Sequence, residues 1–185
     1  MTEKEKMLAG MIYDANNDPL LIAERLECKE LCHDYNNLRP KESRMRREII
    51  VKILGSVKGD FLIEQPFLCD YGYNIHIGDK FYANHNLVIL DGAPVRFGDN
   101  VFIAPNCGFY TAGHPIDATE RNKGLEYARP ITVGNDVWIG ANVCVLPGVT
   151  IGDDCVIGAG SVVVKDIPPH SVAVGNPCKV IKTIK

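Results

Sequence analysis

No stretch of this chain approaches the roughly 20 consecutive apolar residues that a membrane-spanning helix needs. The opening run, Met1-Thr2-Glu3-Lys4-Glu5-Lys6, leads into no apolar signal segment. Neither a membrane protein nor an exported one is expected, and a cytoplasmic location is the default. Charge of one sign is lacking as well: 20 Lys and Arg face 23 Asp and Glu, for a net charge of −3. That balance leaves no electrostatic footprint for nucleic acid. The longest basic run, Arg44-Met45-Arg46-Arg47, sits among Glu42 and Glu48 and reads as a solvated helix face. The seven cysteines include no CxxC pair, so neither a zinc site nor a thioredoxin-like motif is signalled, and no metal is expected. Their odd number and scattered spacing read as reduced, mostly buried thiols in a reducing compartment. Cys28 and Cys32, four apart, would share one face of a helix.

What is present amounts to one domain with a small appendage: 185 residues, 46% hydrophobic and 23% charged, enough for a packed core. A helical cap is expected over 1–57 and a β-rich domain over 58–185. In the cap, Asp18-Pro19 reads as an N-cap followed by proline at the first helical position. Leu20, Ala23, Leu26, Leu31, Cys32 and Tyr35 then recur at near-helical spacing until Arg39-Pro40 breaks the pattern. A further helix is expected from Lys41, with Met45, Ile49, Ile50, Ile53 and Leu54 on one side and Gly55 at its end.

Beyond residue 60 the texture changes to glycine and short strand-like pieces with a period of six. Val133, Ile139, Val145, Ile151, Ile157 and Val163 are all aliphatic at that interval, and Gly134, Gly140, Gly152 and Gly158 follow four of them. Phe97, Ile103 and Phe109 lie in the same phase upstream, whereas Ile77, Ala83, Ile89 and Val95 are offset by two, which implies a long connection at 92–96. Such a unit is one short strand and one turn, and three units close a triangular coil. The aliphatic points inward onto its equivalents, and the glycine permits tight corner geometry. The segment 115–129 breaks the pattern, which resumes in phase, so it reads as a loop excursion where function tends to sit.

His114 stands at the root of that excursion, in Thr111-Ala112-Gly113-His114-Pro115. Histidine is the usual general base towards a hydroxyl, and a structural role capping the loop is the competing reading. The segments Glu5-Lys6-Met7-Leu8-Ala9-Gly10, Cys69-Asp70-Tyr71-Gly72-Tyr73-Asn74-Ile75, Phe81-Tyr82-Ala83-Asn84, His114-Pro115-Ile116-Asp117, Val137-Trp138-Ile139-Gly140 and Gly175-Asn176-Pro177 together resemble the maltose and galactoside O-acetyltransferases, hexapeptide-repeat acyltransferases.

That resemblance implies a mainly β fold: a left-handed parallel β-helix with an N-terminal helical cap, an exception to the usual right-handed crossover. It also implies a homotrimer whose active sites lie between subunits, acetyl-CoA as donor, and a small-molecule sugar as acceptor. His114 would be the catalytic base in a direct transfer. Asp70, Tyr82, Asn84, Arg25 and Glu126 would contact the acceptor; turn chemistry competes as the reading of Asp70 and Asn84. Asp14 lies one position from a sugar-contacting acid of the galactoside enzymes. Ala141, Ala159, Val164, Lys165, Lys179 and Lys182 would contact the donor, with the Ala141 N–H stabilising the oxyanion. Lys179 and Lys182 stand where galactoside enzymes tend to have arginine, and solvated surface lysines are the competing reading. Trp138 would flank the pantetheine path or pack at an interface. The acceptor leans towards maltose or glucose, with galactosides or amino sugars as alternatives. A zinc-dependent β-helical carbonic anhydrase is disfavoured because His76, His85 and His114 lack its spacing, and the Asp/His signature of serine acetyltransferases is absent. A non-enzymatic scaffold is the remaining reading.

Overall fold

The six-residue aliphatic spacing folds into a three-sided parallel solenoid. The structure, a computed structural model, describes residues 1–184. Each coil contributes one short strand to each side. Sheet I stacks Ser56–Val57, Ile75–Ile77, Val95–Phe97, Ile131–Val133 and Thr150–Ile151. Sheet II stacks Phe61–Ile63, Phe81–Ala83, Phe102–Ile103, Trp138–Ile139, Val156–Ile157 and Ser171–Val174, and Lys179–Thr183 folds back antiparallel at its edge. Sheet III stacks Phe67–Cys69, Leu87–Leu90, Gly108–Tyr110, Cys144–Val145 and Val162–Val163. The in-phase residues meet across coils: Ile139 lies between Ile103 and Ile157, and Val145 between Phe109 and Val163. All six of the repeat aliphatics from Val133 to Val163 are at most 1% exposed.

The corner glycines act by close approach. A Cβ on Gly134 would lie 2.3 Å from Asp153 Oδ1 and 2.7 Å from its backbone N. The residue after each such glycine builds a ladder up the corner: the N–H of Asp60, Asp79, Asp99 and Asn135 donates to the side-chain oxygen of Asp79, Asp99, Asn135 and Asp153 in turn. The left-handed backbone at the other turns is taken mostly by Asn and Asp, with φ of 56° at Asn100, 61° at Asn106, 58° at Asp136 and 57° at Asn142. Lys80, with φ of 53°, and His170, with φ of 56°, take it as well.

The coils are unequal at one corner, where the chain passes from sheet III to sheet I. Val95 pairs with Ile75 and Ile131, while Phe97 pairs with Val133, so the in-phase residue after Ile89 is Phe97. The expected long connection therefore lies at this corner. The segment 111–130 also leaves from it. That segment is more ordered than a loop: Ala112–Gly113 pairs antiparallel with Leu125–Ala128, around the short helix α4 (Ala118–Arg121), which Asp117 caps.

The cap consists of α1 (Glu3–Leu8), α2 (Pro19–Asn37) and α3 (Ser43–Ile53). Asp18 caps α2 as expected, its Oδ1 accepting from the Leu21 N–H at 2.9 Å. Two details of the sequence reading are corrected. The buried face of α2 is Leu21, Cys28, Cys32 and Tyr35, while Leu20 and Leu26 are exposed. Apolar residues fall on two overlapping stripes of that helix, and only contact with the first coil selects one. The basic run of α3 is not a solvated face throughout. Arg46 is buried, donates to Ile63 O and Glu64 at 3.0 Å, and exchanges places with Met45, which is exposed. Helices and solenoid share one apolar core through Tyr35, Ile50, Ile53, Ile63 and Phe67. Among the described residues, no helix is long and apolar enough to cross a membrane.

Because Ile139 is wholly buried between two coils, Ile139→Ala should lower unfolding free energy by about 2–5 kcal/mol. Thr132→Ala, on an exposed outward position of a neighbouring strand, should change it by less than about 0.5 kcal/mol. Urea unfolding followed by circular dichroism at matched protein concentration separates the two.

Candidate active site

The elaborated corner holds a cleft of about 510 Å³ walled by Leu90, Tyr110, Leu146 and Pro147, with Asp70, His114 and Glu126 on its lining. The wall follows from the repeat: Leu90 and Tyr110 occupy equivalent outward positions of neighbouring coils. Asp70 arrives at the end of a sheet III strand, while His114 and Glu126 arrive on the antiparallel excursion. A second cleft of about 390 Å³ lies under α3 beside Tyr35, Arg46 and Phe61, and among the described residues no histidine, carboxylate or thiol lines it.

His114 Nδ1 lies 2.9 Å from the carbonyl oxygen of Leu125. A carbonyl only accepts, so Nδ1 carries a proton, and in the neutral ring Nε2 holds the lone pair. The orienting group is thus a backbone atom, contributed by the strand that pairs beside the histidine. No side-chain pattern could announce it.

Two half-buried carboxyls face the same cleft. Burial pushes the Asp70 carboxyl up, Arg25 pulls it down, and Glu126 raises it further. Glu126 Oε2 accepts from the Tyr13 hydroxyl at 3.2 Å. Tyr13 itself is buried, and its strand Tyr13–Asp14 pairs antiparallel with Leu125–Glu126. Arg25 donates to the Tyr71 hydroxyl at 2.7 Å and to Ala15 O. The cap therefore supplies one partner for each carboxyl. Asp14 is not aimed at the cleft: its Oδ1 accepts from the Asn16 and Asn17 N–H groups in its own turn.

Beneath Asp70 sits a residue that the sequence reading missed. Asp91 is fully buried, and its Oδ1 accepts from the N–H of Asp70 at 3.1 Å and of Tyr71 at 2.9 Å. Its Oδ2 has no hydrogen-bond partner among the described residues. Burial pushes its carboxyl up to about 6. The nearest signal in the sequence was the expected long connection at 92–96, which begins one residue beyond it. Tyr13 and Tyr71 were likewise missed as partners of Glu126 and Arg25.

The remaining candidate residues do not reach this cleft within one chain. Tyr82 lies on sheet II, its ring 6.4 Å from that of Phe102. Asn84 follows it, and its Oδ1 accepts from the His85 N–H at 2.8 Å, which is the turn chemistry that competed for it. Ala141 and Ala159 follow the sheet II strands Trp138–Ile139 and Val156–Ile157, and Lys179 and Lys182 stand exposed on the edge strand. Val164 and Lys165 follow the last sheet III strand, exposed, one coil beyond Leu146. Trp138 points outward and is 57% exposed. His76 lies on sheet I, bonded to Ser56, and His85 lies beside Gln65 O at another corner. Among the described residues, the one group of three metal-capable side chains close enough to share an ion is Cys28, Cys32 and Cys69, outside this cleft.

Comparison with known proteins bears on the fold and the family. Residues 6–59 match a maltose acetyltransferase hexapeptide capping motif, and 130–165 match the bacterial transferase hexapeptide in six repeats. A Saccharomyces cerevisiae protein, provisionally named as an acetyltransferase, is 59% identical over 97% of this chain and 92% of its own length. The crystal structure of a maltose O-acetyltransferase from Clostridium difficile is 55% identical, with TM-score 0.98 over 100% of this chain and 98% of that one. A galactoside acetyltransferase solved in complex with coenzyme A is 45% identical, with TM-score 0.96 over 100% of this chain and 92% of that one.

The raised Asp91 carboxyl makes stability depend on pH in a defined direction. Its pKa moves from 3.8 unfolded to about 6 folded, so the native state holds the proton more tightly. Its favourable contribution is complete below pH ~4 and is lost as pH rises through ~6, to a total of about 3 kcal/mol. Asp91→Asn keeps the acceptor for Asp70 and Tyr71 but removes the titration. Unfolding free energies measured at pH 4, 5, 6 and 7 should show the variant gaining on wild type by about that amount, and parallel profiles would refute the assignment.

Proposed function

This chain belongs to the maltose and galactoside O-acetyltransferase family of hexapeptide-repeat acetyltransferases, and we propose from there that it transfers acetyl from acetyl-CoA directly to a hydroxyl of a sugar such as maltose or glucose. The observation that carries this reading is the His114–Leu125 hydrogen bond, which frees Nε2 beside Asp70 and Glu126 in one cleft.

In the proposed reaction, Asp70 and Glu126 accept hydrogen bonds from acceptor hydroxyls, a role suited to carboxylates facing a polyol. Arg25, bonded to Tyr71, sets its charge against Asp70, and the Tyr13 hydroxyl donates to Glu126. His114 Nε2 takes the proton from the reacting hydroxyl as its oxygen attacks the thioester carbonyl. The same imidazolium then returns the proton to the departing thiolate. The N–H of Ala141, which finds no acceptor among the described residues, meets the developing oxyanion. No cysteine lines the cleft, which supports direct transfer over an acyl-enzyme.

His114 and Ala141 stand at different corners of the prism, and this supports assembly. In the proposed homotrimer, the sheet II–III corner of one copy, with Tyr82, Asn84, Ala141 and Ala159, faces the His114 corner of the next. Val164, Lys165, Lys179 and Lys182 then flank the donor, and the two edge lysines meet its phosphates as point charges. Reduced, mostly buried thiols support a cytoplasmic place.

The test is a thiol-release assay with acetyl-CoA across glucose, maltose, galactosides and amino sugars. Release stimulated by the glucosyl acceptors is expected, and none with any sugar would refute the acceptor class. His114→Ala should lower kcat about 100-fold or more with the oligomer intact by sedimentation; near-wild-type turnover would remove His114 as base. Lys179→Ala with Lys182→Ala should raise KM for acetyl-CoA several-fold with little change in kcat.

A further inference from the structure

Three cysteines that take no part in the transfer meet beneath the cap. Cys28 and Cys32 project from consecutive turns of α2, and Cys69 ends the first strand of sheet III. The Cys69 sulfur lies 3.5 Å from that of Cys28 and 3.8 Å from that of Cys32. All three sulfurs fall within 4.8 Å of one another, and each residue is at most 6% exposed. Thiolates bound about 2.3 Å from a shared ion stand roughly 3.8–4.0 Å from each other in tetrahedral or trigonal geometry. The Cys32–Cys69 separation of 3.8 Å meets that spacing, and the Cys28–Cys69 separation of 3.5 Å is slightly tighter.

The donor set selects the ion. Among the described residues no fourth His, Cys, Asp or Glu joins the group, whereas structural zinc is almost always held by four protein ligands. Three soft, buried sulfurs favour a soft monovalent ion. We propose that Cys28, Cys32 and Cys69 form a three-thiolate site for one copper(I) ion, joining the helical cap to the first coil of the solenoid.

The surroundings fit such a site. Hydrogen bonds from Cys28 and Cys69 hold the Cys32 thiol well below its ordinary value, while the same contacts and burial push Cys69 up. Binding releases the protons that the three thiols hold and places the ion between the sulfurs, with no change of oxidation state. An approach exists as well: a cleft of about 230 Å³ reaches Cys28 from the surface between Glu24, Glu27 and Lys52. Cys69 directly precedes Asp70, so the ion would anchor the strand end that carries an acceptor residue. The inference does not rest on the acetyl-transfer reading, because its readout is metal content.

The test uses the reduced full-length protein, titrated anaerobically with copper(I) against a chromogenic copper(I) chelator. One equivalent should be withdrawn, and X-ray absorption of the wild-type complex should show a shell of three sulfurs alone. Cys69→Ser, and Cys28→Ser with Cys32→Ser, should each weaken binding by more than about 100-fold, beyond the cost of losing an outer-shell partner. Cys144→Ser, remote from the cluster, should bind as wild type. The wild-type absorption spectrum decides even where a serine variant fails to fold. Failure to retain copper, a shell containing nitrogen or oxygen donors, or displacement by equimolar zinc would each overturn the proposal.

Discussion

Everything in this molecule depends on the register of parallel pairing between coils. Because Ile103, Ile139 and Ile157 fall opposite one another, inward side chains stack on apolar neighbours in adjacent coils, and the core is a set of continuous columns. A slip by one residue would turn every column outward. Two polar devices hold the register at the corners. The Gly-Asp ladder through Asp79, Asp99, Asn135 and Asp153 links each coil to the next by side chain to backbone N–H. The paired turn residues Asn86 with Asn106 and Asn100 with Asp136 do the same at 2.8 Å and 2.9 Å.

Such regularity leaves little room for chemistry, since a repeating wall offers the same groups at every level. The cleft arises where regularity fails. Three successive passages from sheet III to sheet I carry extra residues, and these hold Asp70, Asp91 and the His114 excursion. The solenoid gives the excursion a rigid base, and the cap braces it from the other side through the Tyr13–Asp14 strand and the Tyr13–Glu126 hydrogen bond. The cap thus has two functions: it covers the open end of the core through Tyr35, Ile50 and Ile53, and it positions the acidic side of the cleft.

This division explains what could be read from residues alone. The solenoid was legible because its signal repeats: six aliphatics in phase, and a two-residue offset that located the elaborated corner. The Asp18-Pro19 cap was legible because capping is local chemistry. The face of α2 was not, since Leu20 and Leu26 match a helical stripe as well as Leu21 and Cys28 do. Arg46 was misread because its partners, Ile63 O and Glu64, come from the first coil and leave no mark beside it. At the candidate site, His114 stood out where the repeat breaks, with base and loop cap both open as its role. The Leu125 carbonyl that it bonds did not, because any residue at position 125 would present the same group.

Asp91 shows why the least legible residue can matter most to the site's shape. A carboxylate is an expensive acceptor to bury, and this one leaves Oδ2 without a partner among the described residues. An apolar side chain would pack the corner more cheaply but would strand the N–H groups of Asp70 and Tyr71, each a buried or half-buried donor that must be satisfied. Those two N–H groups lie between the acid that faces the cleft and the tyrosine that holds Arg25. Their shared acceptor therefore fixes the direction of both side chains at once. The energetic strain of a buried charge is concentrated at one atom, and the geometry of the acidic wall follows from it.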